Sequence, residues 1–136
     1  MHPRAKIRAA IVDMLIRKTS ADERVYATRE VPWKRIELPG IAVYALSDEP
    51  VEVTYYPEVA QRNATMEVLL VASVTEQVDD ALDSLALQVE QLLIADPTFR
   101  GTADLSRYTG TQIGIAEDLG RPVGVARVTF EARYQP

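Results

Sequence analysis

Residues 64–95 constrain the fold more than any other part of the chain, because they read as one long strand followed by one long helix. From residue 64 to residue 74, apolar side chains occupy every second position, and the positions between them are only partly polar. A strand with this pattern lies near the middle of a sheet. The alternating apolar residues are Met66, Val68, Leu70, Ala72 and Val74.

The helix that follows is predicted to begin with Thr75 as its N-cap and to end near Ala95, since Pro97 disfavours helical geometry at the residue before it. Acidic residues fill its first turn, where the helix dipole favours negative charge. At 3.6 residues per turn, one face of this helix is apolar and the opposite face is polar. The apolar face consists of Val78, Ala81, Leu82, Leu85, Ala86, Val89, Leu92 and Leu93.

Two apolar residues interrupt the polar face of this helix. Leu87 and Ile94 lie seven residues apart, with Asp80, Asp83, Glu90 and Gln91 around them. Single exposed apolar residues are ordinary, but a pair inside a polar rim has the composition of a small interface. We therefore predict Leu87 and Ile94 as subunit-contact residues, with the basic first helix of another copy as the complementary surface.

The first helix is predicted over residues 4–18, after Pro3, which suits a first turn. Its core stripe contains Ile7, Ala10, Ile11, Met14 and Leu15. A second stripe packs either on the other helix or on another subunit, so Val12 and Ile16 are further contact candidates. Arg17 and Lys18 are predicted to end the helix at its negative pole.

Short apolar runs predict strands at residues 24–28, 41–46, 111–118 and 123–134, with a turn at 47–50 followed by a strand or an arm at 51–56. Residues 31–40 predict an irregular loop, in which Trp33 either covers the core or contacts a partner. Tyr55 and Tyr56 either reach a neighbour or cap a sheet edge. The predicted fold class is α+β: a mixed or antiparallel sheet with two main helices on one face and a C-terminal β-hairpin.

The length and composition of the chain limit the number of domains and its location. At 136 residues and 47% hydrophobic content, we expect residues 1–136 to form a single domain. No long apolar run or signal-type segment is present, so we expect a cytosolic protein.

The residues that most nucleophilic enzymes need are scarce in this chain, which has no cysteine and only one histidine, His2. We therefore expect none of the common catalytic pairs of a nucleophile and a base. The sequence predicts no catalytic residue, cofactor or metal site; an acidic helix start explains Asp79, Asp80 and Asp83.

Charge is distributed unevenly along the chain. Residues 1–35 hold nine Lys or Arg and four Asp or Glu, a net charge of +5, whereas the remainder carries −10. The total of −5 argues against broad nucleic-acid binding. Such polarity either orients copies of the chain head to side or reflects two solvated faces.

The order of segments along the chain also resembles that of a known protein family. The matching pieces are Arg8 and Ile11 in the first helix, Val25-Tyr26 followed by Arg29, the strand at residues 38–44, Met66-Glu67-Val68, Asp-Asp-Ala-Leu-Asp at 79–83 with Val89-Glu90, the Gly101 connector, and the strand at 128–134. In this order they resemble the tail terminator family of tailed bacteriophages, the minor tail protein U-like proteins. Gly40 departs from the alanine expected there.

The resemblance implies a non-enzymatic structural protein that forms a hexameric ring on the end of the tail tube, stops its polymerisation and offers a surface for head joining. The implied partners are other copies of the chain, the tail tube protein and a head-completion or neck protein, with no specific nucleic acid and no membrane. Assembly would occur in the host cytoplasm, and the final location would be the head–tail junction of the virion tail. The alternatives are another neck or tail-completion protein and a small α+β enzyme or ligand-binding module.

Overall fold

A computed structural model describes the backbone of residues 1–29, 32–55, 58–75, 77–118 and 120–136, and the side chains of these residues except 35, 52–55, 58–60 and 118. The elements in chain order are α1 (Pro3–Leu15), β1 (Val25–Ala27), a short 3-10 helix (Arg35–Glu37), β2 (Gly40–Tyr55), β3 (Glu58–Ser73), α2 (Val78–Ile94), β4 (Leu105–Asp118) and β5 (Arg121–Tyr134).

The strands form one sheet in the order β1-β2-β3-β5-β4. The β1–β2 pair is parallel and the other three pairs are antiparallel, so the sheet is mixed. α1 packs on β1 and β2, and α2 packs on β3 and β5. The predicted α+β class, with its C-terminal hairpin β4–β5, is confirmed.

The core lies between the helices and one face of the sheet. Alternation in the two central strands aligns buried residues across them, as in the pairs Met66↔Phe130 and Val68↔Val128. The predicted core stripe of α1 is buried, as are Leu82, Leu85, Ala86, Val89 and Leu93 of α2. Burying each large apolar side chain contributes about 1.5–3 kcal/mol. Val74, predicted on the same face, follows the end of β3 and is 44% exposed.

The predicted turn at residues 47–50 is wrong, because the chain continues there as one strand. β2 pairs with β3 from Gly40↔Val71 to Tyr55↔Glu58, with irregularities between Ala45 and Ser47 and between Pro50 and Glu52. A proline in a sheet is tolerated at a bulge or an edge, where its missing N–H breaks no ladder bond. The last four β2–β3 pairs extend past the end of β5, so this hairpin protrudes from the sheet as an arm.

Thr75 is not the N-cap of α2. Its hydroxyl accepts a hydrogen bond from the Gln77 backbone N–H at 3.2 Å, and Gln77 occupies the cap position without a side-chain cap bond. A threonine that bonds two residues ahead forms a turn of its own, so the helix begins later, at Val78. The end of α2 at Ile94, with Ala95 as C-cap, agrees with the prediction.

α1 is shorter than predicted. Ile16 is extended, with φ −61° and ψ 132°, and Arg17 has φ 61°, so the helix ends at Leu15. Arg17 and Lys18 therefore lie in the following turn, where the Arg17 N–H donates to the Asp22 carbonyl at 2.8 Å. The assignment of these two cations to the last helical turn is wrong.

β4 begins at Leu105, six residues before the predicted start at 111. An irregularity between Tyr108 and Gly110 shifts the register, and Gly110 has φ +148°, a conformation that L side chains rarely adopt. The extra residue breaks the two-residue periodicity, which explains why the first part of the strand carries no clear pattern.

Candidate assembly surfaces

Trp33 folds back onto the sheet face opposite the helices. Its ring lies edge-on to Tyr26, with 5.6 Å between centroids, and the Arg29 guanidinium lies 4.3 Å from the centre of the Trp33 ring. Trp33, Leu38 and Leu69 pack against a small buried cluster around Val71. The structure therefore places Trp33 as a cover over a second core; a contact between Trp33 and a partner stays a prediction.

The Trp33 loop is held in place by an Arg29–Glu37 pair. Arg29 donates two hydrogen bonds to the Glu37 carboxylate, at 2.9 and 2.8 Å, and the Arg29 side chain is 8% exposed. These bonds lower the pKa of Glu37 below its usual value and raise the pKa of Arg29. The Tyr44 hydroxyl also donates to the Arg29 carbonyl at 2.7 Å. The charged pair thus connects the two ends of the loop, and the Tyr44 hydroxyl joins the loop to β2.

The same loop accounts for Gly40, the residue that departs from the expected alanine. A Cβ at this position would overlap the Trp33 ring and lie 2.8 Å from the Glu37 carbonyl oxygen. Glycine is therefore required by the close approach of Trp33, since a larger residue would displace the indole.

Asp48 ties the base of the β2–β3 arm to α1. Its Oδ2 accepts a hydrogen bond from the Tyr134 hydroxyl and one from Arg4 at 2.6 Å, and Arg62 lies 3.8 Å away. Burial raises the pKa of Tyr134, and the hydrogen bond to Asp48 adds to this effect. Three elements therefore meet at one carboxylate. Tyr56, beyond this base, lies outside the described residues, as does the side chain of Tyr55; their contact roles stay predictions.

The second helix carries the predicted apolar pair on its surface. Leu87 is 53% exposed and Ile94 is 55% exposed. We call these two residues, with the acidic Asp80, Asp83 and Glu90, the α2 ridge. Glu90 accepts a hydrogen bond from the Thr111 hydroxyl at 3.4 Å, which shows that the ridge borders β4.

The edge strand β4 adds exposed apolar residues that the sequence interpretation did not assign to a surface. Ile113 is 54% exposed and Ile115 is 61% exposed. They pair with Ala126 and Gly124, which lie on the helix-covered face of the sheet. We call residues 110–116 the β4 edge. The signal for it was in the sequence: two isoleucines alternate within a stretch that contains no charge and no proline.

The other two candidates, Val12 and Ile16, lie beside the main core. Both are half-buried and pack against the core cluster within the subunit. Their packing accounts for them without a second subunit, and a contact with another copy stays a prediction. The basic side chains Lys6, Arg17 and Lys18 are exposed around them.

A groove of about 260 Å³ lies beside Trp33, with Leu69, Val71 and Val125 in its lining and Arg127 at its side. Within the described part of the chain, no group of three or more His, Cys, Asp or Glu is arranged to hold a metal ion. No described helix is long and apolar enough to cross a membrane.

Comparison with known families identifies the chain. A family model described as phage minor tail protein U matches residues 2–131. The chain belongs to this family. This match confirms the resemblance seen in the sequence. Membership of the phage minor tail protein U family gives the chain a structural role in the phage tail, as a component of the virion tail. No curated protein sequence gives a significant match.

Proposed function

We propose that this minor tail protein is the tail terminator: its 136 residues act as one domain, assemble into a hexameric ring on the end of the tail tube, and stop the tube from growing. The ring then offers a surface to the head-completion or neck protein. No catalytic step and no cofactor enter this role, and assembly takes place in the host cytoplasm before the ring is fixed at the head–tail junction.

The α2 ridge is the observation that carries the proposal. Two large apolar side chains, each more than half exposed, are surrounded by acidic residues on a helix whose other face is buried in the core. Desolvating Leu87 and Ile94 gives an interface its apolar centre, while the acidic rim stays hydrated and selects a basic partner.

The complementary surface lies on α1. This helix packs on β1 and β2, whereas α2 packs on β3 and β5, so the two helices cover different parts of the sheet. Lys6 on α1, and Arg17 and Lys18 in the turn that follows it, are exposed and basic. A contact between two different surfaces of the same chain is heterologous, and heterologous contacts close into a ring when the rotation allows.

Assembly variants test the contact. Leu87→Asp should leave the subunit folded and weaken self-association by at least about tenfold, because it places a charge in the apolar centre. Ala81→Asp is the matched control, since it adds the same charge to α2 at an exposed position about 120° around the helix from Leu87. Leu85→Asp, 1% exposed, should instead unfold the subunit. Unchanged assembly of Leu87→Asp by sedimentation would refute the ridge as a contact.

Tube elongation tests the role. Purified tube protein is allowed to polymerise with and without this chain, and tube lengths are measured by electron microscopy. A terminator stops growth at about one ring per tube end, and Leu87→Asp loses this effect. Tubes of unchanged length would favour a neck or tail-completion protein on the head side.

A further inference from the structure

The β4 edge lacks the devices that protect most edge strands from pairing with another chain. Natural edges are short, or carry charges, proline or bulges in their exposed stretch. β4 runs from Leu105 to Asp118, and its irregularity lies at Thr109, before the seven residues 110–116. Those seven residues contain no charge and no proline, and Ile113 and Ile115 are more than half exposed. The strand is therefore open to main-chain pairing.

β1, the strand at the opposite border of the sheet, is closed. It has three residues. The Val25 N–H already donates to the Glu23 carbonyl at 2.9 Å, and the Ala27 carbonyl accepts from the Thr28 hydroxyl at 2.5 Å. A strand this short, with one N–H and one carbonyl already bonded, offers little to a neighbour.

β2 beyond Val43, where β1 ends, is also protected. Pro50 removes a donor, and the register shifts on either side of Leu46 and of Val51 interrupt the strand twice. Within the described residues, the β4 edge of one copy thus finds its best complement in the β4 edge of another copy.

The charges of β4 favour an antiparallel arrangement of such a pair. Arg107 lies near the start of the strand, and the acidic Glu117 and Asp118 end it. Arg107 already pairs with Glu131 of β5, so the acidic ends decide the direction: antiparallel pairing about a two-fold axis near Ile113 keeps them apart. Parallel pairing would place like charges together.

We infer that β4 is a self-pairing edge: residues 110–116 form an antiparallel ladder with the same residues of a second copy. Ile113 and Ile115 of both copies then form one apolar strip on the helix side of the joined sheets. This contact is isologous and distinct from the α2–α1 contact of the proposed ring; if the six copies of a ring all used it, two rings would be joined through two-fold axes.

Single cysteine variants test this pairing, because the chain has no cysteine of its own. Ile113→Cys places thiols of two copies opposite each other near the axis, at a spacing that a disulfide spans. Leu46→Cys is the matched control, since Leu46 is 55% exposed and Ile113 is 54% exposed, but Leu46 lies on β2. Under mild oxidation, Ile113→Cys should form disulfide dimers at least about tenfold faster than Leu46→Cys, because pairing raises the local thiol concentration. Equal rates would overturn a two-fold axis at Ile113.

Three further variants cover a shift in register and separate this contact from the ring. Thr111→Cys and Ile115→Cys bracket the axis, so failure of all three β4 cysteines to exceed Leu46→Cys also overturns the pairing. Introducing Leu87→Asp into Ile113→Cys should leave the disulfide unchanged, which shows that β4 pairing does not depend on the ridge. Loss of the disulfide in that double variant would instead show that β4 meets another copy only as part of the ring contact and would contradict an independent two-fold.

Discussion

The β1–β2 border of the sheet is covered by the chain itself, whereas the β4 border is bare. On the first border, the Trp33 loop, the Arg29–Glu37 pair and the Asp48 network fasten β2 to its surroundings. On the second, isoleucines and an apolar pair on α2 face outward. The side chains of the first border stabilise the folded subunit, whereas those of the second border are exposed and available for the contacts proposed above. Changes on the two borders should therefore affect different measurements.

The largest difference in stability should come from comparing one arginine–glutamate pair on each border, Arg29–Glu37 and Arg107–Glu131. Arg29→Ala removes a doubly bonded pair with an 8% exposed guanidinium and its contact with Trp33, so it should lower the free energy of unfolding by about 2–3 kcal/mol. Arg107→Ala removes the exposed pair with Glu131 and should cost at most about 1 kcal/mol. Urea denaturation measures both, and equal losses would break the comparison.

Substituting alanine for one glycine on each border should give a smaller difference in stability. Gly40→Ala forces a methyl group against Trp33 and should destabilise the subunit by about 1–3 kcal/mol. Gly114→Ala, at the β4 edge, meets no atom within 4 Å and should change stability by less than about 1 kcal/mol, in the stabilising direction. Thermal unfolding of the two variants decides the matter; a stable Gly40→Ala protein would mean that Trp33 does not pack as described.

The pH dependence of stability should also report on the covered border. The hydrogen bonds from Arg29 lower the pKa of Glu37 in the folded state relative to its ordinary value of 4.5. The stabilisation is therefore present above pH 4.5 and is lost as the pH falls through the lower, folded-state pKa. Glu37→Gln should flatten the acid side of the stability profile. An unchanged acid slope in denaturation experiments from pH 6 to pH 3 would exclude Glu37 as its source.

The smallest effect on folding is expected at the bare border. Ile115→Lys replaces a side chain that is 61% exposed, so the free energy of unfolding should change by less than about 0.5 kcal/mol. The same variant should reduce pairing between copies, because it places a charge in the isoleucine strip. Substantial unfolding of Ile115→Lys would show that this residue belongs to the core of the subunit.

The sequence predicted best the elements in which one face is buried. The alternation in β3 and the apolar stripe of α2 follow directly from burial against the core, and the structure confirms both except at Val74 and Ala81, which are exposed. Boundaries were less predictable, because local hydrogen bonds decide them: the Thr75 hydroxyl delays α2, and the Arg17 turn ends α1 early.

Strand pairing was the part of the fold that the sequence could not supply. From the sequence alone, Pro50 predicts a turn, whereas in the structure it belongs to a continuous strand because β2 pairs with β3 on both sides of it. The openness of β4 likewise depends on which strand lies at the border. Leu87 and Ile94 were found from sequence because a helix shows its outward face by periodicity alone.

The most direct test of the ring is sedimentation velocity of the full chain over a wide concentration range, with negative-stain microscopy of the largest species, alone and with tube ends. The proposal predicts hexameric rings with a central hole, which disappear in Leu87→Asp and persist in Ala81→Asp. A monomer at every concentration, with no ring visible on tube ends, would contradict it.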